Sequence, residues 1–168
     1  SEMERDTNHI LLCRAVCYED VEVELLNYDE EALSKSIAVQ EYEGGIVAFD
    51  KLTHDIRSVQ IKLDETIKFW AGQYVDIIID TPEGETIKRS FSMANVPTQG
   101  DELSFIIKKY PEGRFSGLLD SGGIKVGQKV KVVGPYGDCF RRENREGAII
   151  LVAAGSGMSP IWSILHDH

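Results

Sequence analysis

Cysteine is scarce: Cys13, Cys17 and Cys139 are the three in 168 residues. An odd count, with no secretory leader in view, fits a reducing cytoplasm rather than a disulfide framework. Cys13 and Cys17 do not make a metal site by themselves, because two ligands are too few and only His9 stands near enough in sequence to join them. Long apolar runs are missing as well. The longest, residues 148–154, is the length of a strand and far short of a membrane span. The first residues are polar and acidic, which is not the pattern of a signal peptide. Basic residues are in deficit, with 18 Lys and Arg against 28 Asp and Glu and a formal charge of -10. That balance argues against nucleic acid or an anionic membrane surface as a partner. Ten carboxylates stand against Arg5 and Arg14 between Glu2 and Glu31. A run of this kind is a solvated arm or an interaction surface. Internal repeats and low-complexity segments are absent.

What is present is a β pattern. Residues 37–40 and 45–49 read as one long first strand, with Gly44-Gly45 marking a bulge or bend. Residues 56–63 alternate cleanly and pair with it. Residues 72–79, a stretch from Thr86, residues 102–109 and residues 129–133 supply four more strands, separated by turn signals such as Thr81-Pro82-Glu83-Gly84-Glu85 and Gly134-Pro135-Tyr136-Gly137-Asp138. This spacing predicts an all-β sandwich or barrel. One short helix interrupts it over residues 111–120, where Phe115, Leu118 and Leu119 have helical spacing. After a charged linker the pattern changes type. Residues 148–154 read as a parallel strand buried on both faces. Gly155-Ser156-Gly157-Met158-Ser159-Pro160 is a glycine-rich turn, and Ile161-Trp162-Ser163-Ile164-Leu165 begins a helix. Strand, turn and helix make the first βα unit of a nucleotide-binding fold. One such unit is too little for a doubly wound sheet, so the chain reads as a fragment of a longer one.

The chemistry gathers on Lys88-Arg89-Ser90-Phe91-Ser92-Met93-Ala94-Asn95. Alternation along a strand puts Arg89 and Phe91 on one face and Ser90 and Ser92 on the other. Arg89 can clamp a phosphate through its planar fork of donors. Phe91 can lie flat against a ring system, and Ser92 offers a donor and an acceptor. The alternative is an ordinary strand, with Phe91 in the core and Arg89 solvated. A second candidate is the start of the short helix, whose free backbone N–H groups make an anion site; a plain connecting helix is the alternative there.

Arg-Ser-Phe-Ser on a strand, Gly-Arg-Phe-Ser opening a helix and Ala-Ala-Gly-Ser-Gly-Met-Ser-Pro after an apolar run, in that order, resemble the ferredoxin–NADP reductase superfamily. The likeness is closest to the reductase components of bacterial di-iron monooxygenases acting on methane, propane, cyclic ethers or phenol. It covers residues 36–165. The fold implied is a six-stranded antiparallel Greek-key barrel with one short capping helix, followed by the start of an α/β nucleotide-binding domain. The domains implied are residues 1–32, the end of a plant-type [2Fe-2S] ferredoxin domain with its linker; residues 33–143, an FAD-binding barrel; and residues 144–168, the start of an NAD(P)-binding domain.

By the same resemblance Arg89 pairs with a flavin phosphate, Ser90 lies beside it, Phe91 stacks on the isoalloxazine, and Ser92 hydrogen-bonds near N5 and so acts in hydride transfer. Phe91 stands where Tyr is commoner. Ile106, Ile107 and Lys108 follow the pyrimidine edge through backbone groups. Gly113, Arg114, Phe115 and Ser116 cradle the pyrophosphate, which favours FAD over FMN. Gly155, Ser156 and Gly157 resemble the pyridine-dinucleotide pyrophosphate loop. Leu11-Leu12-Cys13-Arg14 resembles the last cluster-ligand site of the ferredoxin domain, with a strand over 21–25 after it, so Cys13 is a candidate ligand of the intact protein's [2Fe-2S] cluster. Trp70-Ala71-Gly72-Gln73-Tyr74 matches a recurrent family stretch, but core packing by Trp70 and Tyr74 is the better explanation of it. Cys139 is either a buried or half-buried small side chain or a thiol that tunes or attaches the flavin. The implied activity is electron passage from NAD(P)H through FAD and a [2Fe-2S] cluster to a di-iron hydroxylase. An aromatic-ring dioxygenase reductase is the second reading, and a non-redox barrel that binds some other partner is the third.

Overall fold

The computed structural model describes residues 16, 18–20, 22, 29–81, 84–110, 113–143 and 147–167. The chain divides into two compact units, Ser1–Glu30 and Glu31–His168. The Cys13 segment, Cys17 and the strand expected over 21–25 lie outside the described residues. The end of the stretch expected as a linker is a turn of helix, α1 (Glu30–Ser34). An i,i+4 ion pair between Glu31 and Lys35, 3.1 Å, and a bond from Ser34 Oγ to the Glu31 carbonyl hold it.

Six strands make one antiparallel sheet: β1 (Gln40–Lys51), β2 (Ile56–Leu63), β3 (Tyr74–Asp80), β4 (Thr86–Ser92), β5 (Glu102–Lys108) and β6 (Lys129–Tyr136). Their order is β4-β3-β6-β1-β2-β5. Only β1–β2 and β3–β4 are hairpins; β6 inserts between β1 and β3, which is the Greek-key crossing. Alternation decides the inside. Val59, Ile61 and Leu63 of β2, and Val75, Ile77 and Ile79 of β3, all point into one core, joined there by Leu103, Phe105 and Ile107 of β5. The curled sheet does not close by a ladder. β4 and β5 are its two edges, and the seam between them is bridged after β4 by Ala94 N–H to the Ser104 carbonyl, 2.7 Å, and Ser104 N–H to Asn95 Oδ1, 3.0 Å. Helix α2 (Arg114–Ser121) caps one end with Phe115 and Leu119 buried. Each such side chain is worth about 1.5–3 kcal/mol when fully buried.

Four expectations need correction. The first strand begins at Gln40, not Ile37, and its bulge falls at Val47, where Ile46 pairs Ile61 but Ala48 pairs Gln60. Gly44 is there for close approach instead: a Cβ on it would run into the Lys62 carbonyl oxygen. The sixth strand does not end at Val133. It runs through Gly134 and Pro135 to Tyr136, because pairing with β3 continues across an irregularity: one residue, Val75, lies between Tyr74 and Asp76, and two, Gly134 and Pro135, lie between Val133 and Tyr136. Proline, which has no N–H, is tolerated at such an irregularity. Finally, residues 148–154 are not a buried strand. Ala154 keeps extended angles (φ -138, ψ 136), but among the described residues no strand pairs with this run. Ile150 and Val152 of this run are 88% and 83% exposed.

Candidate functional site

The site forms at the β4–β5 seam. β4 alternates as its sequence requires. Ile87 faces the core, and Phe91 follows on the same face at the open end, packed edge-on against Phe105 at 6.3 Å and against Phe115 of α2 at 4.9 Å between ring centroids. Phe91 is only partly buried, so part of the ring remains exposed. Arg89, on the same face, is exposed and gives its Nη1 to the Lys88 carbonyl at 2.7 Å. It pairs with no carboxylate among the described residues.

The opposite face of β4 has a different task. Ser90 donates its hydroxyl to Asp76 of β3 at 2.5 Å, and Lys88 reaches the same carboxylate at 2.8 Å. Burial opposes the charge on Asp76, yet the hydrogen bonds from Lys88 and Ser90, and the Lys88 charge, outweigh it and hold its carboxyl below the usual Asp value. Lys88 is in turn pushed up by its bond to Asp76 and by that charge. Ser90 is thus a cross-strand tie. Tyr74, Ser90, Phe91 and Ser92 line a shallow concavity of about 320 Å³ beside it.

Helix α2 enters through Gly113, which caps it with no side-chain bond and no acid in its first turn. The N–H groups of that first turn therefore remain open to an anion. Ser116 is buried and accepts from Tyr110 N–H at 3.2 Å; a Cβ at Gly113 would strike this hydroxyl. The Arg114 guanidinium is held by Glu85 at 2.6 Å, just before β4. Here α2 offers its backbone, not its arginine, to the seam.

On the β5 side, Lys108 pairs loosely with Asp55 at 3.7 Å. The Gly155–Gly157 turn comes down beside Lys108. Helix α3 (Met158–His166) follows, and its Ser159 hydroxyl meets the Ile106 backbone, accepting from N–H at 3.0 Å. The Ile106 carbonyl receives only a long bond from Ser159, 3.4 Å, and keeps acceptor capacity, since a carbonyl has two lone pairs.

The structure therefore brings together Arg89, Phe91, the open turn at residues 113–116, the β5 edge at residues 106–108 and the Gly155–Gly157 turn. Among the described residues nothing connects the Cys139 thiol to them. Cys139 is exposed rather than buried, and it is its backbone carbonyl that packs against Gly72. Tyr74, expected in the core, is 36% exposed on the rim and stacks on Tyr136 at 5.5 Å. Trp70 is half-buried and donates to the Lys35 carbonyl at 2.7 Å. Gln73, Asp76, Asn95, Ser159 and Ser163 had no site role in the sequence reading. Buried polar residues in apolar surroundings were the available signal. A larger hollow, about 740 Å³, lies on the outer face of β1, β3 and β6. Its Glu41 and Lys131 pair with each other at 2.8 Å, and it has no aromatic ring to stack on, so it is not the ring-binding site.

A family model for the oxidoreductase FAD-binding domain matches residues 37–140. The reductase component of propane 2-monooxygenase from Gordonia sp. (strain TY-5) is 41% identical over 98% of this chain and 47% of its own length. The phenol 2-monooxygenase reductase component of Pseudomonas sp. (strain CF600) is 34% identical over 99% of this chain and 46% of its own. This chain spans about half the length of the curated relatives it matches. Among solved structures, the ferredoxin reductase of carbazole 1,9a-dioxygenase superposes with a TM-score of 0.69 at 32% identity, over 77% of this chain and 38% of that one. Arg89 without a carboxylate partner, the partly exposed Phe91 ring and the α2 turn without a side-chain cap suit the phosphates and ring of a flavin dinucleotide, and this chain belongs to the oxidoreductase FAD-binding domain family.

Proposed function

We propose that this chain is the flavin-holding section of an NAD(P)H-dependent reductase component that feeds the di-iron hydroxylase of a monooxygenase through FAD and a [2Fe-2S] cluster. The single observation that carries the reading is the convergence on one seam of an arginine without a carboxylate, a half-exposed ring and an uncapped helix start. Arg89 holds a phosphate by a bidentate, charge-assisted contact. The N–H groups of residues 114–116 take the neighbouring phosphate, and Phe91 supports the ring from one side. The backbone of Ile106 and Lys108 reads its polar edge, and Ser92 presents a hydroxyl where the hydride arrives. FAD, when bound, supplies hydride acceptance and single-electron release. Gly155, Ser156 and Gly157 begin the dinucleotide site, and Cys13 is a ligand of the cluster. Cytoplasmic residence is part of this reading; among the described residues no helix is long and apolar enough to cross a membrane.

Identity of about 40% to propane monooxygenase reductase components supports a hydroxylase as the acceptor. The likeness to a carbazole dioxygenase ferredoxin reductase favours, as a second reading, a dioxygenase system. Reconstitution with FAD and with FMN, followed by the absorbance spectrum and chromatography of the released flavin, tests the core of the reading. Stoichiometric FAD, lost in Arg89→Ala, is expected. A protein that takes up neither flavin overturns it. Electron delivery to a purified monooxygenase hydroxylase against a dioxygenase terminal component separates the two acceptors.

A further inference from the structure

Helix α3 is apolar apart from its serines and its end, yet its two most buried side chains are hydroxyls. Ser159 is 2% exposed and Ser163 is fully buried. They stand four residues apart and so share one helix face. That face lies on the edge of β5 that no strand covers. Ser159 Oγ accepts from Ile106 N–H at 3.0 Å and reaches the Ile106 carbonyl at 3.4 Å. Ser163 Oγ donates to the Asn95 carbonyl at 2.6 Å. Asn95 is itself immobilised, donating to the Gln99 carbonyl at 3.0 Å while its Oδ1 accepts from Ser104 N–H at 3.0 Å.

Apolar side chains on this face would pack without direction and would leave the Ile106 N–H buried and unpaired, which is costly. Two hydroxyls aimed at fixed backbone atoms allow one rotation and one height of the helix. The Gly155–Gly157 turn is continuous with the start of α3, so its position is set by the same bonds. Residue 106 lies two positions from Lys108, beside which Gly155 rests.

We propose that Ser159 and Ser163 are positioning residues that seat the Gly155–Gly157 turn on the β5 edge and thereby set how a pyridine dinucleotide meets the flavin. The inference rests on the reading under Proposed function. Neither serine touches the reacting atoms. Their effect passes through the backbone of β5 and the turn, and a flavin ring keeps the free acceptor capacity of the Ile106 carbonyl.

The test uses the full-length, FAD-loaded protein with NADH and NADPH as donors and ferricyanide as acceptor. Ser159→Ala and Ser163→Ala are expected to raise KM for the nucleotide about five- to tenfold, the scale of one lost hydrogen bond. FAD affinity should stay within about twofold of the parent, and the Ile106 amide of Ser159→Ala should exchange about tenfold faster. Ser159→Thr, which retains the hydroxyl, should restore KM. Unchanged KM in both alanine variants overturns the inference while leaving the flavin reading in place. So does a KM increase that follows FAD loss in proportion, because the serines would then act only through the flavin site. A parent protein that binds FAD but accepts hydride from neither nucleotide overturns both.

Discussion

Arg89 concentrates the site's need for an anion. It sits on a strand edge in a chain with a formal charge of -10, yet it pairs with no acid among the described residues. Lys88, its neighbour, is committed to Asp76 at 2.8 Å, and Arg114 to Glu85 at 2.6 Å. Removing the Arg89 guanidinium should weaken FAD binding about 10- to 100-fold, because a hydrogen bond to a charged group contributes about 1.5–3 kcal/mol. Arg89→Lys should recover only part of this, since an ammonium has no planar fork. Titration of FAD with fluorescence detection measures both. Asp76 carries a pH prediction. Its carboxyl is held below the ordinary value of 3.8 in the folded protein. Between the folded and unfolded values the unfolded chain binds more protons, so the stability from this pair is complete above about 3.8 and is lost as pH falls through the folded value. Asp76→Asn should lower the urea midpoint at neutral pH and should flatten its fall below about pH 4. Equal acid slopes for the two proteins would show that other carboxylates govern acid unfolding.

Elements were more legible than the reasons for their details. The period-2 alternation of β2 was strong enough to place that strand, and Phe115, Leu118 and Leu119 were enough for α2. The reach of β6 was not legible, because Gly134-Pro135 is ordinary turn chemistry, and only pairing with β3 shows that the strand continues through it. The run at 148–154 shows a related limit: an apolar run states a preference for burial, while burial requires neighbours that pair with it, and among the described residues it has none. Arg89 and Phe91 could be put forward from the sequence because their chemical type alone suggests a role. Ser159 could not, since a serine inside a glycine-rich turn motif carries no mark of the backbone it will meet. Gly44 shows the same limit. The pair Gly44-Gly45 signalled something local, but the cause is a carbonyl on the adjacent strand. Gly44→Ala should therefore destabilise through steric conflict between β1 and β2, by about 1–3 kcal/mol on the scale of overpacking. Gly45→Ala meets only ordinary contact, 3.5 Å from the Gln128 carbonyl, and should cost less than about 1 kcal/mol, the β-propensity range. Urea denaturation of the two variants compares them directly.

The molecule as a whole is a curled sheet with an unlaced seam, and the candidate site occupies that seam. β1, β2, β3 and β6 each have neighbours on both sides, whereas β4 and β5 each have one. The two edges meet through the loop at Ala94 and Asn95 and through aromatic contact between Phe91 and Phe105. A flavin held by Arg89 on β4, by the backbone of β5 and by the start of α2 would tie the two edges together. Such a ligand stabilises the fold by its affinity alone, about 2.7 kcal/mol at a concentration a hundred times Kd. Its effect on local opening should be uneven, because strands paired on both sides are expected to exchange mainly by global unfolding and edge strands to open more easily. FAD is therefore expected to slow amide exchange most in β4, β5 and the first turn of α2, with a smaller and uniform slowing in β1 and β6. Hydrogen exchange with and without FAD measures this by segment. Uniform protection at every strand would mean that the seam does not open on its own and that the ladderless closure is as firm as the ladders.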